Sequence, residues 1–165
     1  RGAYEAGGNS IGVVLKLPHE KRGNGYQTLT LTHRNFFTRM EVLKKAQAFT
    51  GEDGGIGTAA ENLDTLTHIQ TGKLGEVPVG FIGKEKYGIV DKLLQYMVKD
   101  GTVSPTDRDL YRIFDDPDAM FRHFAKVRAR NAEQERIAEQ QSTAEQQSIA
   151  AQASTAAPGI VRVAP

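Results

Sequence analysis

The sequence predicts an α/β domain in which helices cover both faces of a parallel sheet. Short apolar segments alternate along the chain with longer segments whose apolar residues recur at helical spacing. This alternation is typical of βα units, whose parallel strands are joined by right-handed crossovers. A glycine-rich turn at residues 54–57 follows one predicted strand. In such sheets, ligands bind beyond the carboxyl ends of the strands, so this turn is the first candidate site.

The first predicted strand, residues 10–17, is nearly continuously apolar through Leu15. Such a run is typical of a strand that is buried on both faces of a parallel sheet, and Pro18 ends it. Residues 19–32 form a predicted polar loop with a turn at Asn24 and Gly25. The other predicted strands are residues 48–50, 78–83 and 111–114.

Helices are predicted between these strands. The chain opens with the last turn of a helix, which Gly7 and Gly8 close. Asn35 caps a helix over residues 36–46, and Pro117 starts the last helix near its first position. The other two helices span residues 58–71 and 87–100. The residues predicted to pack are Phe36, Met40, Leu43, Ala59, Leu63, Leu66, Ile69, Ile89, Val90, Leu93, Leu94, Met97, Met120, Phe121, Phe124 and Val127.

Composition excludes several classes of function. With 21 basic and 20 acidic residues the net charge is +1, which argues against nucleic acid as a partner. No apolar run approaches the ~20 residues of a membrane span, so no membrane partner is expected. The chain has no cysteine, which excludes disulfides and thiolate metal sites and fits a reducing compartment, expected to be the cytoplasm. The four histidines lack the spacing of a metal site.

The two ends of the chain differ from its middle. The chain begins at Arg1 and not at a methionine, so we expect the native start to lie upstream. From residue 131 the composition shifts to Ala, Glu, Gln and Ser, with a six-residue near-repeat. A six-residue period spreads equivalent positions over three helix faces and cannot form the seam of a coiled coil. We therefore predict a domain at residues 1–130 and, at 131–165, a solvated helix that fades into a disordered tail.

The glycine-rich turn has two interpretations. Its glycines allow close approach of a bound group and dihedrals that a side chain would forbid, and the helix start that follows favours phosphate. Thr58 adds a hydroxyl, and Glu61 stands one turn into the helix. The same Thr58 and Glu61 also fit a capping box, which is a purely structural role. Glu52 and Asp53 directly precede the glycines, where their carboxylates would repel an anion.

Several separated segments together resemble the LOG family. Its members are Rossmann-like cytokinin riboside 5′-monophosphate phosphoribohydrolases, once described as lysine decarboxylases. GGIGTAAE at residues 54–61 is similar to the family motif PGGxGTxxE, and FFTR at 36–39 resembles the family's arginine-bearing helix. Residues 6–20, 46–49, 66–74 and 78–83 also follow the pattern of the family's longer-chain branch. The resemblance covers about residues 1–124.

The resemblance implies an activity and a set of roles. The reaction is hydrolysis of the N-glycosidic bond of a nucleoside 5′-monophosphate, such as AMP, to free base and ribose 5-phosphate. Arg39 would bind substrate and stabilise developing charge, and Glu61 would stabilise an oxocarbenium-like ribose or activate water. No metal or redox cofactor is implied, and a homodimer is. The residues that would hold the 5′-phosphate are Gly54, Gly55, Gly57 and Thr58.

The chain departs from the family pattern at three places, and these leave alternatives open. Asp53 replaces the motif's proline, and Met40 replaces the lysine after the family's arginine. The family's N-terminal βα units have no counterpart, which we expect to expose a sheet edge. An active enzyme, a nucleotide- or phosphate-binding module without chemistry, and a truncated copy with a structural role are therefore all considered.

Overall fold

The computed structural model describes residues 1–17 and 24–155. Pro18, His19 and residues 156–165, on which some of the expectations above rest, lie outside the described residues. In chain order the elements are α1 (Gly2–Glu5), β1 (Ile11–Leu15), β2 (Leu29–His33), α2 (Phe36–Leu43), β3 (Phe49–Gly51), α3 (Ile56–Gln70), β4 (Val79–Ile82), α4 (Lys84–Lys99), a 3-10 turn (Pro105–Leu110), β5 (Arg112–Phe114) and α5 (Pro117–Thr155).

The strands pair in parallel throughout, which confirms the predicted α/β class. They form two ladders, one of β1 with β2 and one in the order β3-β4-β5. In the first, Ile11 lies opposite Leu29. In the second, Phe49 lies opposite Val79, and Gly80 lies opposite Arg112. Among the described residues no ladder joins the two sheets, so β3 is an edge strand.

Two predictions about the first sheet were wrong. Leu15 is buried, but Ile11 is exposed and the rest of β1 is only partly covered, so a strand buried on both faces was wrong. The strand lies in a two-stranded ladder with α2 beside it, which leaves much of its surface open. The predicted loop over residues 19–32 was also wrong, because its end belongs to β2. The alternating LTLTH of Leu29–His33 is a β-type pattern, since threonine favours strands.

The core lies between β4 and the helices α3 and α4. Phe81 on β4 is fully buried and stacks on Tyr87 of α4, with ring centroids 4.6 Å apart. Leu66 of α3, Val79 and Tyr111 complete the buried cluster. The predicted strand at 78–83 is thus confirmed as a buried one. Since side chains alternate along a strand, Gly80 faces the other side of this sheet.

Helix α5 covers that other side. Met120 and Phe124 are buried, and a Cβ placed on Gly80 would lie 2.6 Å from Met120 Sδ. The helix therefore packs directly on the backbone of β4, and helices cover both faces of the three-stranded sheet. Beyond Asn131 the side chains of α5 are exposed through residue 150. Over that range the predicted solvated helix is confirmed.

The helices begin and end close to the predicted positions. Asn35 caps α2 as expected, since its side chain accepts a hydrogen bond from the Thr38 N–H, but α2 ends at Leu43 and not at residue 46. Helices α3 and α4 begin two and three residues earlier than predicted, at Ile56 and Lys84. No helix in the described ranges has the length and apolar character of a bilayer span. Six residues predicted to pack are instead exposed, namely Phe36, Ala59, Leu63, Ile89, Leu93 and Phe121.

Candidate active site

The glycine turn lies where the sequence predicted, at the carboxyl end of a strand. Strand β3 ends at Gly51, and α3 begins at Ile56 with Gly55 as its N-cap and no side-chain cap. The first intrahelical bond runs from the Ala59 N–H to the Gly55 carbonyl. The amides before Ala59 therefore have no partner within the helix, and they stand at the positive end of its dipole. This arrangement favours an anionic group.

In this turn Gly54 is needed for space, and none of the glycines is needed for unusual dihedrals. None of Gly54, Gly55 and Gly57 has a positive φ, so the expectation of dihedrals forbidden to other residues was wrong. A Cβ on Gly54 would instead lie 2.6 Å from Thr58 Cβ and still closer to its hydroxyl. At Gly55 and Gly57 an added Cβ meets nothing within 4 Å. Their backbone is open on that side, and a ligand can approach it closely.

The structure excludes the capping-box interpretation. Helix α3 begins two residues before Thr58, so Thr58 is inside the helix and does not cap it. The Glu61 carboxylate does not turn back to the helix start. It accepts a hydrogen bond from Arg39 Nη1 across the space between α2 and α3. Glu61 therefore faces a second element, which the capping role does not require.

The Arg39 guanidinium contacts two other elements of the fold. Its Nη1 contacts Glu61 Oε1, and its Nε donates to the Val13 carbonyl of β1 at 2.9 Å. The two side chains are only 21% and 29% exposed, respectively, so water screens their attraction incompletely. The two charged residues singled out from sequence are thus brought together, beside the glycine turn. The carbonyl contact fixes the guanidinium plane, which the sequence could not reveal.

A cation that sequence reasoning missed stands at the turn. Lys86 Nζ donates to the Gly54 carbonyl at 2.9 Å and lies 3.1 Å from Asp53 Oδ1. The Asp53 side chain is 88% exposed, so it points to solvent and is paired there. The Tyr87 hydroxyl donates to the Glu52 carbonyl at 2.6 Å and fixes the strand end. The expected repulsion of an anion by Asp53 is therefore partly offset.

An apolar slot adjoins the turn on the side of α3 that faces away from Glu61. It has a volume of about 90 Å³ and lies between α3 and α4. Gly54, Gly55 and Thr58 form part of its wall. Both the slot and the Arg39–Glu61 pair can thus be reached from the turn. The apolar residues of its wall include Leu63, Leu66, Phe81, Val90 and Leu93.

A larger cavity, of about 510 Å³, lies at the opposite end of the sheet. Its wall includes Pro78, Tyr111 and His123, which stand near the amino ends of β4 and β5 or on α5. Burial lowers the pKa of His123, and the nearby Arg112 and other cations lower it further. This end of a parallel sheet is not where ligands bind in such folds, and none of the predicted site residues lines the cavity.

A family model described as "Possible lysine decarboxylase", which is the model of the LOG family, matches residues 1–124. The chain belongs to the LOG family. The matched range contains both sheets, the glycine turn and the Arg39–Glu61 pair of this LOG-family chain. The resemblance inferred from the separated sequence segments is confirmed.

Three curated relatives are similar to this LOG-family chain. Two are from Arabidopsis thaliana, cytokinin riboside 5′-monophosphate phosphoribohydrolases LOG3 and LOG1, at 29% and 30% identity over 112 residues. These alignments cover 65% of the chain and 51% of each relative. The third, from rice (Oryza sativa subsp. japonica), is the probable enzyme LOGL5, at 30% identity over 66% of the chain and 45% of the relative. The chain spans about half the length of the curated relatives it matches.

Proposed function

We propose that this chain hydrolyses the N-glycosidic bond of a nucleoside 5′-monophosphate, of the AMP or cytokinin riboside monophosphate type. The products are the free base and ribose 5-phosphate. The observation that carries the proposal is the contact of Arg39 with Glu61 beside an open glycine turn. The names of the two Arabidopsis relatives, both cytokinin riboside 5′-monophosphate phosphoribohydrolases, support the same reaction class.

The glycine turn supplies the site for the 5′-phosphate. The amides at the start of α3 donate to the phosphate oxygens, and the Thr58 hydroxyl adds a further donor. Lys86, at the edge of the turn, adds positive charge. Glu61 follows Thr58 by three residues, which is about 4.5 Å of helix rise. A phosphate at the turn therefore leaves the sugar within reach of the Glu61 carboxylate.

Glu61 and Arg39 act on the anomeric carbon. Cleavage breaks the bond from C1′ to the base nitrogen, and positive charge develops on the ribose. The Glu61 carboxylate stabilises this charge or accepts a proton from the attacking water, as carboxylates do in glycoside hydrolysis. The water oxygen forms the new bond to C1′, and a proton goes to the leaving base. Arg39 orients Glu61 through their hydrogen bond.

We propose that the working form is a homodimer. Helices α3 and α4 expose several large apolar side chains beside the apolar slot, which is unusual for a surface that faces only water. A second copy is the partner that would cover this surface symmetrically. Light scattering should give twice the chain mass, and a monomer at all concentrations would contradict this. The exposed side chains are Ile56, Leu63, Ile89, Leu93 and Tyr96.

Incubation with AMP, followed by chromatography for adenine, tests the proposed reaction. Glu61→Gln and Arg39→Ala should each reduce adenine release by about 10²–10⁴-fold while the fold is retained. Glu85→Gln is the matched control, since Glu85 is an exposed acid in the first turn of α4 and should not affect the rate. Circular dichroism checks that each variant is folded.

The same experiment separates the alternatives. Tight AMP binding by the wild-type chain without adenine release would favour a binding module that keeps the phosphate turn. Neither binding nor release would favour a structural role. A Glu61→Gln variant that is fully active would refute the assignment of Glu61 whatever the reaction proves to be.

A further inference from the structure

Helices α2 and α3 are joined by side-chain contacts, and the boundary that these contacts cross is called the seam here. Helix α2 packs against β1 and β2, whereas α3 packs against the three-stranded sheet. No strand ladder joins these two parts within the described ranges. Arg39 lies on α2 and Glu61 on α3, so their alignment depends on contacts across this seam.

Lys44 forms the second bridge across the seam. It is the C-cap residue of α2, and its side chain is only 10% exposed. Its Nζ lies 3.1 Å from Asp64 Oδ2 and 2.9 Å from His68 Nε2, both on α3. It also lies 3.1 Å from Glu41 Oε1 of its own helix. The ammonium group thus hydrogen-bonds to Glu41 and His68, and it forms an ion pair with Asp64.

In this cluster one ammonium group faces two carboxylates. Burial lowers the pKa of Lys44, but the adjacent carboxylates of Asp64 and Glu41 outweigh it, and the pKa is raised above its ordinary value. Lys44 is therefore a cation in the folded protein. His68 Nδ1 lies 2.8 Å from the Asp64 carbonyl oxygen, to which it donates, so His68 Nε2 is free to accept from Lys44.

We propose that Lys44 is a positioning residue that holds α2 against α3 and so keeps Arg39 aligned with Glu61. Glu61, Asp64 and His68 share one face of α3, because they are spaced by three and four residues. The contacts at Glu61 and His68 are about 10 Å apart along the helix axis. Two contacts at that separation fix both the rotation of α2 and its distance from α3. The inference rests on the proposed function for its effect on catalysis.

Lys44→Met tests the proposal, with Lys45→Met as the matched control. Lys45 is the exposed neighbour of Lys44, so its loss removes the same charge without a seam contact. Lys44→Met should reduce kcat for AMP by about 10- to 100-fold, because a shift of about 1 Å at a site can cost that much. KM should stay within about twofold, since the glycine turn is unchanged. Lys44→Arg, which keeps the cation, should recover most of the rate.

A readout that does not depend on activity completes the test. The Arg39 Nε–H is bonded to the Val13 carbonyl, so in ¹⁵N-arginine-labelled protein its signal should exchange slowly with water. An Arg39→Lys sample assigns the signal. Lys44→Met should speed this exchange at least about tenfold, and Lys45→Met should not. If Lys44→Met does not fold, Asp64→Ala removes one of the two α3 contacts of Lys44 and should speed the Arg39 exchange in the same direction.

The outcomes are distinct. If the wild-type chain releases no base, the proposed reaction fails, and the Arg39 exchange rate alone decides the role of Lys44. A Lys44→Met variant with lower thermal stability but wild-type kcat and wild-type Arg39 exchange would overturn the positioning role. Equal effects of Lys44→Met and Lys45→Met would overturn it too, because net charge would then explain them.

Discussion

Replacing Gly54 by alanine should distort the glycine turn and weaken the phosphate site. The new methyl carbon would lie 2.6 Å from Thr58 Cβ, whereas ordinary contact begins near 3.4 Å. Rotation of the Thr58 side chain cannot relieve this contact, because Cβ is fixed to the backbone. The turn must therefore move against the start of α3. Overpacking of this kind costs about 1–3 kcal/mol. For a chain of this size that lowers Tm by roughly 2–12 °C.

Gly57→Ala is the matched control, because the same methyl group there meets nothing within 4 Å. Alanine is favoured over glycine in a helix by up to about 1 kcal/mol, so this variant should melt at or above the wild-type temperature. Its methyl group projects from the backbone that the phosphate is expected to approach. Thermal melts and calorimetry with AMP should therefore show that Gly54→Ala loses both stability and affinity, whereas Gly57→Ala loses affinity alone. Wild-type stability for Gly54→Ala would refute the steric argument, and wild-type AMP affinity for Gly57→Ala would refute the backbone approach.

Three further predictions concern the sheet, the pH dependence and the turn. Gly80→Ala should lower the free energy of unfolding in urea by about 1–3 kcal/mol, since its methyl group has no room against α5. Gly88→Ala, in open space on α4, should instead raise it by about 0.5–1 kcal/mol. Similar effects of the two substitutions would contradict the packing of α5 on β4. Burial and nearby cations lower the pKa of His123 from 6.5, so the unfolded chain binds the proton more readily than the folded protein does. The free energy of unfolding should therefore be highest above about pH 6.5 and fall on acidification. His123→Gln should flatten this pH dependence, and an unchanged slope would contradict the role of His123. Asp53→Asn should tighten AMP binding severalfold by releasing Lys86 from its ion pair, and weaker binding would show that Asp53 has another role at the turn.

Local patterns predicted most elements of the three-stranded sheet and the helices around it. The strand at β4, the Asn35 cap and the Pro117 start each depend on a few adjacent residues, and each was confirmed. β2 was missed because its five residues follow a glycine-containing polar stretch and lack a large apolar run. Phe36, Ile89 and Phe121 were assigned to packed faces by spacing alone. Helical periodicity cannot tell a face that meets the core from one that is left uncovered.

The candidate site was likewise predictable only in part. The glycine turn, Arg39 and Glu61 were all singled out from sequence, because the resemblance to the family marks them. The residues that contact them were not predicted. The Arg39 contact with Val13, the Lys86 contact with the turn and the Lys44 bridge join residues that are 20 to 32 positions apart in the chain. No local pattern reports such a distance.

The amino-acid sequence by itself determined the α/β class, the position of the turn and the family to which the chain belongs. Each follows from short-range spacing, which backbone geometry converts directly into helices, strands and turns. The tertiary structure alone decided that Glu61 pairs with Arg39 and does not cap its helix, and that Gly54 is needed for space and not for its dihedrals. Both depend on which atoms meet after the chain has folded, because contact and burial are properties of the packed molecule.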